Sequence, residues 1–118
     1  MAKYTNRATV KPFEFHGLQI RELAPEDFTM ASLAEIEVAP GVRHPKARST
    51  KCSKLYVCVE GSVTFNVNDQ QQRLDYLDTL FINKGEWFEY FNGSGTLSRL
   101  LLMHFPPFDA DAEELITN

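Results

Sequence analysis

Cysteine, histidine and concentrated positive charge are all scarce in this chain. Its 118 residues include two cysteines and three histidines, and 12 Lys and Arg against 16 Asp and Glu leave a formal net charge of −4. That balance argues against a nucleic-acid partner, because phosphate binding needs a basic face. Nothing approaches the ~20 consecutive apolar residues of a membrane-spanning helix, so no membrane partner is expected. Residues 1–7 lack the apolar centre of a signal peptide, and a cytoplasmic location is the expectation. Cys52 and Cys58 make no Cys-x-x-Cys pair. On one extended segment they would stand roughly 20 Å apart, too far for a disulfide, and buried free thiols are expected. No Gly-rich phosphate loop, nucleophile elbow or triad spacing is present.

What is present is a set of short apolar runs rich in Val, Ile, Phe and Tyr, at 13–20, 33–38, 55–59, 63–67, 80–82, 87–91 and 97–105. Turn chemistry punctuates them: Ala39-Pro40-Gly41, Glu60-Gly61-Ser62, Asn68-Asp69, Lys84-Gly85 and Asn92-Gly93-Ser94-Gly95. Many short strands with such punctuation predict an all-β sandwich or barrel. One domain fits the length. Helical signals are confined to 25–28, a single turn opened by Pro25, and to 109–116, whose acidic start suits a short terminal helix.

Alternation within the strands assigns their faces. Val63, Phe65 and Val67 share one face and Thr64 and Asn66 the other. The run 55–59 is apolar on both faces and needs cover on two sides. That cover is expected from the N-terminal segment or from a second copy, and a homodimer is predicted.

Pro40-Gly41, the run from Leu55 through Gly61 to Phe65, the run from Leu77 to Ile82, Gly85 and Asn92 resemble the two motifs of the small single-domain cupins. The Pro106-Pro107-Phe108-Asp109 tail is similar to an ending in the same superfamily, and the resemblance covers residues 24–109. It implies an antiparallel jelly-roll β-barrel over 24–109; ahead of it, residues 1–23 are expected to form an arm or strand that contributes to the dimer. A tail or short helix over 110–118 would follow. It also implies a site at the barrel mouth, often metal-bound in the family.

With Gly41, Gly61, Gly85 and Asn92 as anchors, the family's ligand positions fall on Ala47, Ser49, Lys54 and Phe88. Leu77 and Asn83 fall on its second-motif Gly and Pro positions. Transition ions bind through imidazole, thiolate or carboxylate, and none of the four ligand positions carries one. Neither a metal nor another cofactor is therefore expected.

The interior offers other chemistry. If Lys54 points inward, alternation sends Tyr56 and Cys58 the same way; if Phe88 does, Glu86 and Tyr90 follow. Arg99 facing solvent would turn Leu100, Leu102 and His104 inward. His104 is the best acid–base candidate, and Lys54 could attract an anion or act as base or amine nucleophile. Lys54 could also simply pair with Glu86. Arg43, Lys46, Arg48, Lys51 and Lys54 form the one basic stretch, read either as a carboxylate or phosphate site or as a solvated loop. His44, in the same stretch, is expected to be solvated, and His16 carries no motif.

The candidate ligand-binding residues are therefore Arg48, Lys54, Tyr56, Glu86, Phe88, Tyr90 and His104, with His104 and Lys54 as candidate catalytic groups. The leading functional expectation is a metal-free binder of a small anionic or aromatic molecule. A metal-independent sugar-nucleotide isomerase or epimerase using barrel His, Lys and Tyr is the alternative, and a purely structural dimer stays open.

Overall fold

Eleven strands and two single 3-10 turns make up the computed structural model, which describes residues 2–116. Met1 of the expected arm, and residues 117–118 of the expected tail, lie outside the described residues. The strands are β1 (Phe13–Phe15), β2 (Leu18–Glu22), β3 (Ser32–Val38), β4 (Arg43–Ser49), β5 (Ser53–Glu60) and β6 (Val63–Val67). They continue as β7 (Gln70–Leu74), β8 (Thr79–Ile82), β9 (Phe88–Phe91), β10 (Ser98–Phe105) and β11 (Glu113–Ile116). A six-stranded sheet in the order β1-β2-β3-β10-β5-β8 faces a five-stranded sheet in the order β11-β4-β9-β6-β7. All pairings are antiparallel, and the result is the all-β jelly-roll expected from the sequence.

Residues 43–49 and 70–74, not expected as strands, form β4 and β7, and three further segments depart from expectation. The run 13–20 is a hairpin rather than one strand, because His16 and Gly17 both take positive φ (50° and 88°) and reverse the chain. Residues 25–28 close a turn through the Phe28 N–H and the Pro25 carbonyl, without forming a helix. The expected terminal helix is a 3-10 turn at Ala110–Ala112 followed by β11, which pairs with the edge of β4. There the open edge of β4 offers Ser49, Arg48, Ala47 and Lys46 a partner strand, and cross-strand bonding outweighs a helix too short to be stable alone.

Between the sheets, Ile36, Val38, Cys58, Phe65, Phe88 and Leu100 are among the side chains that pack into a continuous core. Each large apolar group so buried contributes about 1.5–3 kcal/mol. Both cysteines are buried and free. Two backbone positions register the motif chemistry. A Cβ at Gly61 (φ 69°) would stand 2.4 Å from Ser98 Oγ, so only glycine fits there. Leu77, at the family's glycine position, holds a φ of 66°, the left-handed conformation glycine favours.

The outer face of the six-stranded sheet has two characters. Leu33, Leu55, Val57, Leu101 and Met103 form an apolar stripe, with Leu55 and Leu33 each paired to Met103. Beside it, Arg7, Arg21 and Arg99 bind Glu35 and Glu37, and Arg99 also binds Glu60. Hydrogen bonding from Arg7 is the main reason the Glu35 carboxyl is held below its usual pKa, and this contact fastens the N-terminal arm to β3.

Candidate functional site

One end of the barrel is left open by the strand arrangement, and a cavity of about 360 Å³ lies inside it. That is within the range of small-molecule sites, about 300–1,000 Å³. Its walls are largely apolar: Phe13 and Phe15 of β1, Ile20 of β2, Ile36 of β3, Leu102 of β10, and Phe108 and Leu115 from the C-terminal segment. The polar groups are His44, Lys54, Tyr56, Tyr90, His104 and Glu113, with Glu22 also in the wall.

Strand alternation delivers most of them. On β5, Lys54, Tyr56 and Cys58 are buried and the intervening residues are only partly covered. On β10 the same rule buries Leu100, Leu102 and His104. Lys54 and His104 are cross-strand partners, so their side chains meet on one face. Lys54 Nζ stands 2.9 Å from His104 Nε2 and 2.9 Å from Glu113 Oε1, and 5.4 Å from the centre of the Phe88 ring. An ammonium can only donate, so Nε2 of His104 accepts and its neutral ring carries the proton on Nδ1. Burial, and secondly the adjacent ammonium, lower the His104 pKa to about 3. Among the described residues, Nδ1 of His104, Oε2 of Glu113 and the Tyr90 hydroxyl are buried without a protein hydrogen-bond partner. Unpaired buried polar atoms of this kind are costly and concentrate at functional places.

His44 is the main departure from expectation. It is not a solvated loop residue: it belongs to β4 and packs against Phe15, Phe88 and Tyr90, with ring centroids 5.5, 5.1 and 4.9 Å away. Simple alternation would put His44 and Ala47 on opposite faces, because they are three positions apart. A bulge intervenes. His44 pairs with Tyr90 and Ala47 with Phe88, so β4 uses one residue more than β9 over the same span. The extra residue turns both side chains inward, and Pro45, which cannot donate to a ladder, sits within it. Nδ1 of His44 is 2.6 Å from the Pro45 carbonyl, which can only accept, so Nδ1 holds the proton and Nε2 keeps its lone pair. Burial brings the His44 pKa down to about 4, leaving the ring neutral at ordinary pH.

The phenols stay neutral as well. Tyr56 and Tyr90 are almost fully buried, with ring centroids 5.7 Å apart, and desolvation drives both pKa values well up. They can donate hydrogen bonds but are not bases.

Three expected ligand-binding residues do not line the cavity: Phe88 turns inward but is buried in the core, with its ring 5.4 Å from Lys54 Nζ, and the other two lie elsewhere. Glu86 precedes β9, in a turn, where alternation no longer applies; its carboxylate accepts from Asn83 N–H and the Asn68 amide, both at 2.7 Å. The carboxylate facing Lys54 is Glu113 instead. Arg48 sits between the inward Ala47 and Ser49 and so points outward, where it binds Glu114 and lies 4.8 Å over the Trp87 ring. The basic stretch is thus dispersed along a strand and its turn, with Lys51 paired to Asp109 and only Lys54 inside. Glu113 escaped the sequence reading because a four-residue edge strand has little apolar pattern of its own.

The family's metal position does not fit a cation here. Ala47 and Phe88 carry no donor, and the Ser49 hydroxyl accepts from the N–H groups of Lys51 and Cys52 in the β4–β5 turn. The Lys54 ammonium would repel a metal. Among the described residues, no three His, Cys, Asp or Glu side chains are placed to hold an ion.

Fold and site together define a jelly-roll barrel whose open end encloses a cavity rich in neutral imidazole and phenol. In sequence the chain matches no protein-family model and no curated protein. In structure it is similar to Streptomyces PAC13, solved as a His-to-Gln variant with uridine, at 17% identity and a TM-score of 0.85 over 99% of this chain and 92% of that one. PAC13 is described as a unique nucleoside dehydratase, and two Tyr-to-Phe variants of it were also solved with uridine. The polyketide cyclase RemF from Streptomyces resistomycificus is similar at 20% identity and TM-score 0.81, over 100% and 87% of the two chains. The cupin domain of Schizosaccharomyces pombe Cnp3 follows at 17%, TM-score 0.72, over 84% and 70%. The chain has the fold of the cupin superfamily.

Proposed function

We propose that the protein binds a small ring-bearing molecule of nucleoside type in the barrel and performs acid–base chemistry on it without a metal. The observation that carries this reading is the locked tautomer of His44, whose Nδ1–H is committed to Pro45 while Nε2 remains a lone-pair acceptor. Such an imidazole presents Nε2 as the proton acceptor; with its pKa lowered to about 4 it is a weak base that requires a strongly acidified ligand C–H, and the imidazolium formed is a strong acid toward a departing hydroxyl. It can take a proton from a ligand carbon activated by a neighbouring carbonyl and return it to a departing hydroxyl. Atoms balance as loss of one water. Tyr56 and Tyr90, as neutral donors, orient the oxygen atoms of the ligand.

PAC13 supports the reading, since a nucleoside dehydratase of the same fold was solved with uridine as histidine and tyrosine variants. A sugar-nucleotide isomerase would use the same base but needs free cations for its diphosphate, and Arg48, the expected source, points away from the cavity. The test is a titration of uridine followed by thermal shift. Saturable stabilisation at millimolar uridine is expected, with His44→Gln retaining binding but losing water elimination from a carbonyl-bearing nucleoside, read by mass spectrometry. Absence of any stabilisation in the parent protein would overturn it.

The proposal includes a homodimer through the apolar stripe around Leu55, Val57 and Leu101. A stable pair needs roughly 800 Å² per partner, and the flanking Arg and Glu residues on this face can meet their opposites across a two-fold axis. Leu55→Glu is expected to convert a sedimenting dimer to monomer; a monomeric parent contradicts the dimer.

A further inference from the structure

We infer that Glu113, on the C-terminal strand, is a specificity-determining residue that cancels the charge of Lys54 and so makes the cavity select uncharged ligands over anions. The inference deepens the proposed function, since it concerns the same cavity. The titratable groups facing that space set its charge. Among the described residues Lys54 is the one lysine or arginine in the lining, and its Nζ is 2.9 Å from Glu113 Oε1. The two side chains are only 4% and 16% exposed, so water screens the pair little. His44 and His104 are neutral by burial, and Tyr56 and Tyr90 are neutral phenols. Glu22 is the remaining carboxylate, and desolvation raises its pKa.

An entering anion therefore meets no unmatched cation. It would have to displace Glu113 from Lys54, leaving that carboxylate buried and alone. A neutral ligand meets unpaired hydrogen-bonding atoms instead, on Tyr90, His104 and Glu113. The anionic ligand character expected from the sequence is thus disfavoured by a residue that the sequence reading had placed in a helix. β11 contributes this carboxylate and Leu115 to the cavity wall, held in register by its pairing with β4.

The experiment uses a matched neutral and anionic pair, benzamide and benzoate, with binding measured by thermal shift and calorimetry on the full chain. The parent protein is expected to discriminate against benzoate, and Glu113→Gln to bind it about tenfold more tightly than the parent does, a change of about 1.4 kcal/mol. The gain must vanish in the double variant Glu113→Gln/Lys54→Met. Circular dichroism verifies that each variant is folded. Benzoate stabilising the parent as much as benzamide does, or an unchanged benzoate response in folded Glu113→Gln, overturns the inference. If Glu113→Gln fails to fold, Lys54→Met decides. It leaves Glu113 unmatched, so benzoate must still be rejected; benzoate binding there overturns the inference. Failure of uridine alone to bind counts against the nucleoside reading and leaves the charge selection standing.

Discussion

The two ends of the barrel interior are built from the same strands and serve opposite purposes. At the closed end, β10 contributes Ser98 and Leu100, β5 contributes Cys58, and β6 contributes Val63 and Phe65, all essentially without exposure. Buried polar groups there are satisfied: the Ser98 hydroxyl donates to the Ser62 carbonyl, and the Asn92 amide donates to the Val38 and Thr96 carbonyls. Further along, β10 contributes His104 and β5 contributes Lys54, and polar atoms there lack partners. The closed end is packed to hold the fold. The open end keeps polar atoms that find no protein partner among the described residues, and the proposed function builds on this contrast.

The largest effect that tests the contrast is at the closed end. Phe65→Ala should cost about 3–5 kcal/mol, read as a lower urea midpoint, because it empties a fully buried position. A smaller loss is expected at the open end. Lys54→Met strands the Glu113 carboxylate and should cost about 3 kcal/mol, the low end for a broken buried pair because Glu113 is 16% exposed, most of it recovered in Lys54→Met/Glu113→Leu. If the double variant is no better than the single, the pair is not the coupled unit described.

Acid should destabilise the open end selectively. His44 and His104 have pKa values near 4 and 3 in the fold and about 6.5 unfolded. Below pH 6.5 the unfolded chain takes up protons that the native cavity refuses, so their stabilisation is complete above about 6.5 and is lost as pH falls toward 4. The slope is at most about 1.4 kcal/mol per pH unit for each histidine. Urea midpoints across that range should flatten in His44→Gln/His104→Gln; an equal slope would place the titration elsewhere. The smallest effects belong to Arg48→Ala and Glu86→Gln, both outside the cavity. Stability changes of about 0.5 kcal/mol or less and an unaltered ligand response are expected.

Much of this was legible in the sequence, and the exceptions share a cause. β3, β5, β6 and β10 announce themselves through apolar pattern, and alternation alone turns Lys54, Tyr56, Tyr90 and His104 inward. β4, β7 and β11 carry charged, Gln-rich or acidic sequences and become strands by pairing with neighbours. Their ladder bonds are invisible to local propensity. His44 was hidden by the bulge at Pro45, which breaks the period-two count. Glu86 failed for the converse reason, alternation being carried past the start of a strand. Glu113 depended on where an edge strand docks, a long-range matter.

Histidine nitrogen NMR on ¹⁵N-labelled protein reads the tautomer and charge of His44 site by site. Near neutral pH His44 should be neutral with its proton on Nδ1, and it should stay so as pH falls well below 6. An imidazolium forming near pH 6.5, or a proton resident on Nε2, would contradict this assignment.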